Sequence, residues 1–560
     1  MKVKRIIECV PNFSEGRDLS IIKAIENSIS VVEGAKLLNV DPGNSTNRTV
    51  ITFAGEPEAV IEAAFQAIRT ASQLIDMSKH KGEHPRMGAT DVCPLIPISG
   101  ISMEETVFFA KKLAERVGSE LKIPVYLYEA ASSLDYRKNL ADIRSGEYEG
   151  FEEKMKNPDW HPDFGPRQFN RKSGATVIGA RDFLIAYNVN LNTKSVKLAN
   201  EVAFDIRENG RPLKDPETNK ILKNEKGDIL RSEGSCKSVK AIGWYIDEYK
   251  QAQVSMNLTN MHQTPLHIVF EECRKAADRY GLVTTGSELV GLVPKSALID
   301  AGKYFLNKQK RSAGLSEEEL IEVAIQSLGL SALNQFDPQT RIIENMIEEN
   351  NSPLIQLSLT KFVQETASES PAPGGGSVSA YVASLGAALG TMVANLSAHK
   401  KNYEDRFEFF SKQAEEGQIL AGNLLLLVDE DTKAFQGIME AFRLPKSNEE
   451  EKSIRKKAVR KATEVAIQVP LKTMEQAAAC LPLLENMILH GNPNSISDAT
   501  VGVLCVKTAI QGAGLNVLIN AATLDKAALK EKYIEQANKI EQMAIPICDK
   551  LYNKVKESII

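Results

Sequence analysis

The stretch HKGEHPRMGATD (80–91) places His80, Glu83 and His84 in the order H-x-x-E-H, that of an inverted zinc-protease helix. The chemistry needs a helix, so that ligands four residues apart share a face and the glutamate can act as base. Gly82 costs about 1 kcal/mol relative to alanine inside a helix, and Pro85 biases His84 away from helical dihedrals. The stretch therefore reads as a loop, and no metal site is expected. A loop histidine can take a proton near neutrality if an acid fixes its tautomer. His84 is the candidate for that work, with Asp41 and Asp91 as available partners. A histidine that only caps or hydrogen-bonds the loop fits the same residues.

Two further loops are dense in turn formers and polar groups: VDPGNSTNRT (40–49) and FGPRQFNRKSGAT (164–176). In the second, Arg167, Arg171 and Lys172 could hold carboxylates and Phe169 could stack on a flat ring. A solvated basic loop is the competing reading. In the last third, PAPGGGSVSA lacks the lysine of a phosphate loop, although its glycines allow close approach to a ligand or backbone at a helix start. Gly386 and Gly390 continue it as GxxxG, which suits tight helix packing at a subunit contact or in a buried core.

The stretch LLLLVDEDTKAFQGIMEAF holds two aspartates that helical phase separates. An apolar stripe runs through Leu424, Leu427, Val428, Phe435, Ile438 and Phe442, and Asp431 fills its gap. Asp429 lies about 200° round the helix. Asp431 is therefore expected on the buried face, where desolvation raises a carboxylate's pKa toward that of a proton donor. A structural acid paired with a base is the alternative.

The elements that must position these residues come in two styles. RIIECV, KLLNV and TVITFAG are strand-like, while DLSIIKAIENSIS and EPEAVIEAAFQAIRTASQLI have helical spacing. Strand, helix, strand, strand, helix is the split order of ferredoxin-like sheets. A second αβ set follows from GATVIGARDFLIAYNVNLN to PLHIVFEECRKAADRYG, interrupted by a polar excursion over 210–238. Beyond EENNSPLIQLS only long helical patterns remain. The expected fold is α/β, with two ferredoxin-like α/β subdomains at 1–182 and 183–348, a linker at 349–355 and an all-α domain at 356–560.

Composition agrees with a folded, soluble chain: of 560 residues 43% are hydrophobic and 25% charged, and the net charge of -5 gives no case for nucleic acid or an acidic membrane. The uncharged stretch 370–398 is rich in Ala, Gly and Ser, so it is expected as an internal helix rather than a membrane span. No signal peptide is expected in MKVKRIIECVPNF. Seven scattered cysteines without CxxC spacing suggest neither a zinc ribbon nor a disulfide framework, and a cytoplasmic location.

At these residues the chain resembles the formimidoyltransferase-cyclodeaminase family almost end to end. IIECVPNFSEGR, STNRTV, HKGEHPRMGATDVCP, DFGP, GATVIGARDFLIAYNVNL, AIGWYIDE and GSELVGLVP resemble its transferase half; APGGGSVSA, LVDEDTKAF and RLPK resemble its cyclodeaminase half. The resemblance implies a bifunctional enzyme of histidine degradation. It would move the formimidoyl group of N-formimidoyl-L-glutamate to N5 of tetrahydrofolate, then close 5-formimidoyltetrahydrofolate to 5,10-methenyltetrahydrofolate with loss of ammonia. It implies catalytic roles for His84, Asp41 and Asp431. It implies a folate segment formed by Gly165, Pro166, Arg167, Gln168, Phe169, Asn170, Arg171, Lys172, Ser173 and Gly174, more basic here than in vertebrate members. Tetrahydrofolate, polyglutamylated, would be a co-substrate, with no metal, and the assembly a homo-oligomer built from dimers of each domain. A nearer alternative keeps this fold but pairs a glutamate formyltransferase with a methenyltetrahydrofolate cyclohydrolase.

Overall fold

The computed structural model describes residues 5–44, 46–82, 85–224, 227–347, 353–370, 372–401 and 403–559. The chain divides into two compact units, Met1–Asp300 with Ile325–Glu348, and Ala301–Ala324 with Glu349–Ile560.

In the first unit, β1 (Ile6–Cys9) and β2 (Asn12–Phe13) are successive parts of one strand position, followed by α1 (Leu19–Ser30), β3 (Ala35–Gly43), β4 (Arg48–Gly55), α2 (Pro57–Leu74) and β5 (Thr90–Ser99). The sheet runs β3, β4, β1 with β2, then β5, all antiparallel, which is the ferredoxin-like arrangement expected from the order of elements. α3 (Met103–Glu120) carries the chain to β6 (Val125–Glu129). β7 (Thr176–Ala180) then inserts parallel between β5 and β6.

Local chemistry explains the helices. Asp18 accepts from Ser20 N at the start of α1, whose Ile22, Ile25 and Ile29 point inward at helical spacing. Ser102 and Glu105 form a reciprocal capping box at α3. Ile25 and Ile29 of α1 join Ile7, Phe53, Leu95 and Ile178 in one core on one face of the sheet. On the other face, two short helices, α4 (Leu140–Arg144) and α5 (Glu147–Lys154), bring Ile143 and Phe151 against Tyr126 and Val177.

A second sheet repeats the pattern: β8 (Ile185–Leu191), α6 (Val196–Ile206), β9 (Val239–Ile246), β10 (Gln251–Leu258), α7 (Leu266–Arg279) and β11 (Thr284–Val290) give the order β11, β8, β10, β9. The polar segment 210–238 forms isolated bridges, Pro212 with Arg231 and Lys223 with Ile229, and so is a surface excursion between α6 and β9. α8 (Lys295–Lys308), α9 (Glu317–Leu328), α10 (Pro338–Arg341) and α11 (Ile343–Ile347) follow. The expected linker at 349–355 falls partly on residues outside those described.

The rear unit is helical: α12 (Leu359–Thr366), α13 (Gly375–Ala398), α14 (Phe407–Arg443), α15 (Glu449–Ala479), α16 (Leu481–His490), α17 (Ile496–Ala522) and α18 (Ala527–Ile559). α13 is its central helix. A Cβ on Gly386 would stand 2.8 Å from the Gly502 carbonyl, and one on Gly390 3.0 Å from Leu483, so GxxxG serves a buried helix contact within this unit. Among the described residues two segments, Gly375–Ala398 and Pro493–Ala522, are long and apolar enough to cross a membrane, and 61% and 44% of their most apolar windows are buried inside the protein.

The stripe expected on α14 needs correction. Leu424, Leu427 and Val428 are fully buried, whereas Phe435 and Phe442 are 36% and 50% exposed. Asp429, expected on the outer face, is only 3% exposed, and Asp431 is half-buried. Helical phase alone does not show that the chain at Leu354 and Ile355 crosses the other side of α14, where both amides donate to the Asp429 carboxylate at 3.0 and 3.4 Å.

Candidate active sites

Glu83 and His84 lie outside the described residues, so the position of the leading front candidate is not described. The chain on either side is non-helical, as Gly82 and Pro85 predict. His80 is braced there. Arg86 Nε donates to His80 Nδ1 at 3.2 Å, leaving Nε2 as the N–H that faces the Asn47 carbonyl at 3.0 Å. Burial holds the His80 pKa below its usual value, the nearby Arg86 charge adding to that against the Asn47 carbonyl. Arg86 itself is anchored by Glu147 and Glu149 at 3.0 and 2.7 Å. His80 is thus a neutral strut.

Asn47 is the piece that inspection of the sequence missed. Its side chain accepts from Gly16 N at 3.0 Å and donates to the Lys81 carbonyl at 3.0 Å, so SEGR, STNRTV and HKGEH meet at one residue. Gly82 permits this approach, because a Cβ there would sit 2.3 Å from the Thr46 carbonyl. The signal was available as an asparagine in a turn, a type that tolerates the positive φ of 48° seen here. Asn47→Ala is expected to lose both side-chain bonds, destabilising the loop by about 1–3 kcal/mol. Faster amide exchange at Gly16, whose N–H donates to Asn47, would register this, whereas unchanged protection would remove Asn47 from the role.

Of the two acids offered to His84, Asp91 is already committed. It is buried, accepts from Met87 N at 3.0 Å and pairs with Arg144. Asp41 is exposed near the end of β3, close enough to Arg48 for its charge to act on that guanidinium. Glu8 on β1 was not foreseen: burial raises its carboxyl to about 8, against the opposing charge of Arg181.

Residues 165–174 span two places. Gly165 and Pro166 border a pocket of about 340 Å³ with Gly118 and Lys122. Lys172, Ser173 and Gly174 instead tie to the loop region: Ala89 N donates to Ser173 O at 2.8 Å and Met77 N to Lys172 O at 2.9 Å. A Cβ on Gly174, whose φ is +67°, would meet the Met87 carbonyl at 2.1 Å. Beside this junction lies a cleft of about 670 Å³, lined by His80, Lys81, Gly82, Arg86, Glu147 and Tyr148. Phe169 and Tyr148 have ring centroids 5.2 Å apart. Lys172 already donates to the Gln73 carbonyl at 2.7 Å and Arg171 lies 3.8 Å from Glu152, while Arg167 and Gln168 are exposed.

In the rear unit, α13 opens on Gly374, Gly375 and Gly376 without a side-chain cap of its own. Asp431 of α14 supplies one from across the interface. Its carboxylate faces Ser377, whose hydroxyl lies 3.1 Å from Oδ2, and a Cβ on Gly376 would come within 2.2 Å of Oδ1. Burial raises the Asp431 pKa, and bonds from the Ser377 hydroxyl and amide offset only part of that. The partner expected of a structural acid was a base; the structure has a helix N-terminus in that place. Asn516 of α17 stands over Gly375, so three helices meet at this acid. A half-buried carboxyl disposed to keep a proton, beside free helix N–H groups, can protonate a leaving nitrogen and orient a polar substrate.

The chain matches three family descriptions: Formiminotransferase domain, N-terminal subdomain, over residues 6–181; Formiminotransferase domain over 186–348; and Formiminotransferase-cyclodeaminase over 358–539. It is 44% identical over 545 residues to the formimidoyltransferase-cyclodeaminase of Mus musculus, covering 97% of each chain. The front aligns with the glutamate formimidoyltransferase of Streptococcus pyogenes serotype M1 at 41% identity over 302 residues, 54% of this chain and 93% of that one. The rear is 33% identical over 202 residues to the methenyltetrahydrofolate cyclohydrolase of Methylorubrum extorquens, 36% of this chain and 97% of that one. By its end-to-end match to a relative of the same two-part construction, the chain belongs to the formimidoyltransferase-cyclodeaminase family.

Proposed function

We propose that the front unit transfers the formimidoyl group of N-formimidoyl-L-glutamate to N5 of tetrahydrofolate, and that the rear unit closes the product to 5,10-methenyltetrahydrofolate with release of ammonia. The observation that carries this reading is the match along 97% of the chain to relatives bearing both activities in their name. In the transfer, His84 takes the proton from the attacking nitrogen and returns one to the departing glutamate nitrogen, with Asp41 as its acidic partner. Residues 165–174 hold the folate, the part from Phe169 to Gly174 lying beside the cleft. In the closure, N10 bonds to the amidine carbon, giving a tetrahedral centre. Asp431 protonates the leaving nitrogen, the C–N bond to it breaks, ammonia departs, and N10 gives up its proton.

Polyglutamylated folate as the working substrate, a place in histidine degradation, cytoplasmic residence and assembly from dimers complete the proposal. Seven free cysteines support a reducing compartment. Exposed Leu385, Met392 and Leu396 on α13, with Leu515 and Ile519 on α17, support a contact between copies.

The test supplies formimidoylglutamate and tetrahydrofolate and follows glutamate, ammonia and methenyltetrahydrofolate absorbance together. Equal amounts of all three are expected. Turnover of a formyl donor with no ammonia would favour the formyltransferase and cyclohydrolase pair instead.

A further inference from the structure

Ser377 is completely buried, and its hydroxyl has more acceptors around it than protons to give them. The oxygen lies 2.8 Å from the Val428 carbonyl of α14, 3.1 Å from Asp431 Oδ2 and 3.3 Å from Thr432 Oγ1. A serine carries one O–H and two lone pairs, so it donates to Val428 or to Asp431 but not to both. The charge on Asp431 decides which. With the carboxyl protonated, Oδ2–H donates to Ser377 Oγ and the serine proton rests on the Val428 carbonyl, the shorter contact. With the carboxylate, the serine proton turns to Oδ2, Thr432 donates to the serine oxygen, and the Val428 carbonyl keeps the bond that its own helix gives it. Both arrangements use the same heavy-atom positions.

The charged neighbours are turned elsewhere. α13 carries no charged residue. On α14, Asp429 takes the amides of Leu354 and Ile355, Glu430 lies 3.9 Å from Lys472 of α15, and Lys433 stands about 200° round the helix from Asp431. On α17, Lys507 is nine residues before Asn516 and is paired with Asp549. Burial and the bonds from Ser377 therefore govern the proton on Asp431.

Resting on the cyclising role of the rear unit, we propose that Ser377 is a positioning residue that serves Asp431 in both of its charge states, accepting from the acid before proton transfer and donating to the carboxylate after it. In the closure, the O–H bond at Oδ2 breaks, its proton passes to the nitrogen of the tetrahedral centre, and its electron pair stays on the carboxylate. The C–N electron pair leaves with ammonia, and the proton that N10 loses returns to Oδ2. The serine proton swings to Oδ2 in the first half and back to Val428 in the second. A donor already in place needs no reorganisation when the charge appears. A bond to a charged acceptor is also about twice as strong as a neutral one, so on balance the hydroxyl favours the carboxylate.

The experiment measures kcat and KM for ammonia release by the full chain from supplied 5-formimidoyltetrahydrofolate, from mildly acid to alkaline pH. Ser377→Ala keeps the backbone amide that also bonds Asp431 and removes only the hydroxyl. Its kcat at neutral pH should fall by about 10-fold to 100-fold, the size of one hydrogen bond to a charged group, with KM little changed. Asp431 acts protonated, so kcat falls as pH rises through its pKa. Without the donor to the carboxylate that pKa rises, and the falling limb should move to higher pH. Infrared difference spectra against Asp431→Asn give a readout that does not depend on turnover: the C=O band of the protonated carboxyl should shift in Ser377→Ala, because its O–H has lost its acceptor. Ser377→Cys fills the same space with a weaker donor and should move both readouts the same way, which keeps the test if the alanine variant does not fold. A reduced kcat with limb and band unmoved would make Ser377 a packing residue, overturning the inference while the cyclising reading stands. A limb moved to lower pH would overturn it as well, since the hydroxyl would then serve only the acid. A parent that releases no ammonia from the supplied substrate overturns the reading and the inference together.

Discussion

Asp431→Asn should lower ammonia release from supplied 5-formimidoyltetrahydrofolate by about 100-fold to 10,000-fold, the contribution of one positioned acid. Formimidoyl transfer in the same protein should continue, so that the intermediate accumulates. The substitution is chosen for its geometry: asparagine keeps an oxygen to accept from Ser377 and cap α13 but has no carboxyl proton to give. Stability should move the other way. The folded carboxyl holds its proton to higher pH than the unfolded one because burial disfavours its charge. Ionisation therefore costs the folded state stability as pH rises above the usual carboxylate value. Asp431→Asn should melt with the parent at low pH and above it at neutral pH. Calorimetric scans at the two pH values check this, and a variant that melts lower at neutral pH would mean that the charged cap outweighs burial. Gly376→Ala should reproduce the catalytic loss from the other side, since its methyl group would occupy the place of Oδ1.

His84→Ala should remove ammonia production from formimidoylglutamate plus tetrahydrofolate by a similar factor, because nothing then shuttles the proton between attacking and departing nitrogens. Cyclisation of supplied 5-formimidoyltetrahydrofolate should be unaffected, which separates this variant from Asp431→Asn. The surrounding frame tells catalysis from folding: Asn47, His80 and Arg86 brace the loop through contacts that do not involve residue 84. The loop of His84→Ala should retain the amide protection of the parent. Loss of that protection together with activity would make His84 a structural residue.

Periodicity and local signals carried most of the fold. Alternating strands and capped helices at 3.6-residue spacing put both ferredoxin-like sheets in view, and Gly82 with Pro85 argued against a zinc helix from the sequence itself. What stayed hidden depended on chain segments distant in sequence. Asp429 looked solvent-facing because its partners, Leu354 and Ile355, lie 75 and 74 positions away. Asn47 looked like an ordinary turn residue because the two groups it joins, Gly16 N and the Lys81 carbonyl, come from two other loops. The phase argument selected Asp431 as the buried acid, although Asp429 is the more deeply buried of the two. Asp431 stands out instead by its company of a glycine-built helix start and Asn516. Phe435 and Phe442 completed an apolar stripe by phase, yet they stand 36% and 50% exposed, so phase alone did not separate the buried part of α14 from its open part.

The central claim is that two separate sites act in series, and mixing two inactive proteins tests it directly. With formimidoylglutamate and tetrahydrofolate, His84→Ala alone and Asp431→Asn alone should each release almost no ammonia. Mixed, the first should cyclise the intermediate that the second makes, and ammonia and methenyltetrahydrofolate should appear together. A mixture that stays silent while 5-formimidoyltetrahydrofolate accumulates, or ammonia from either variant alone at the parental rate, would contradict the two-site account.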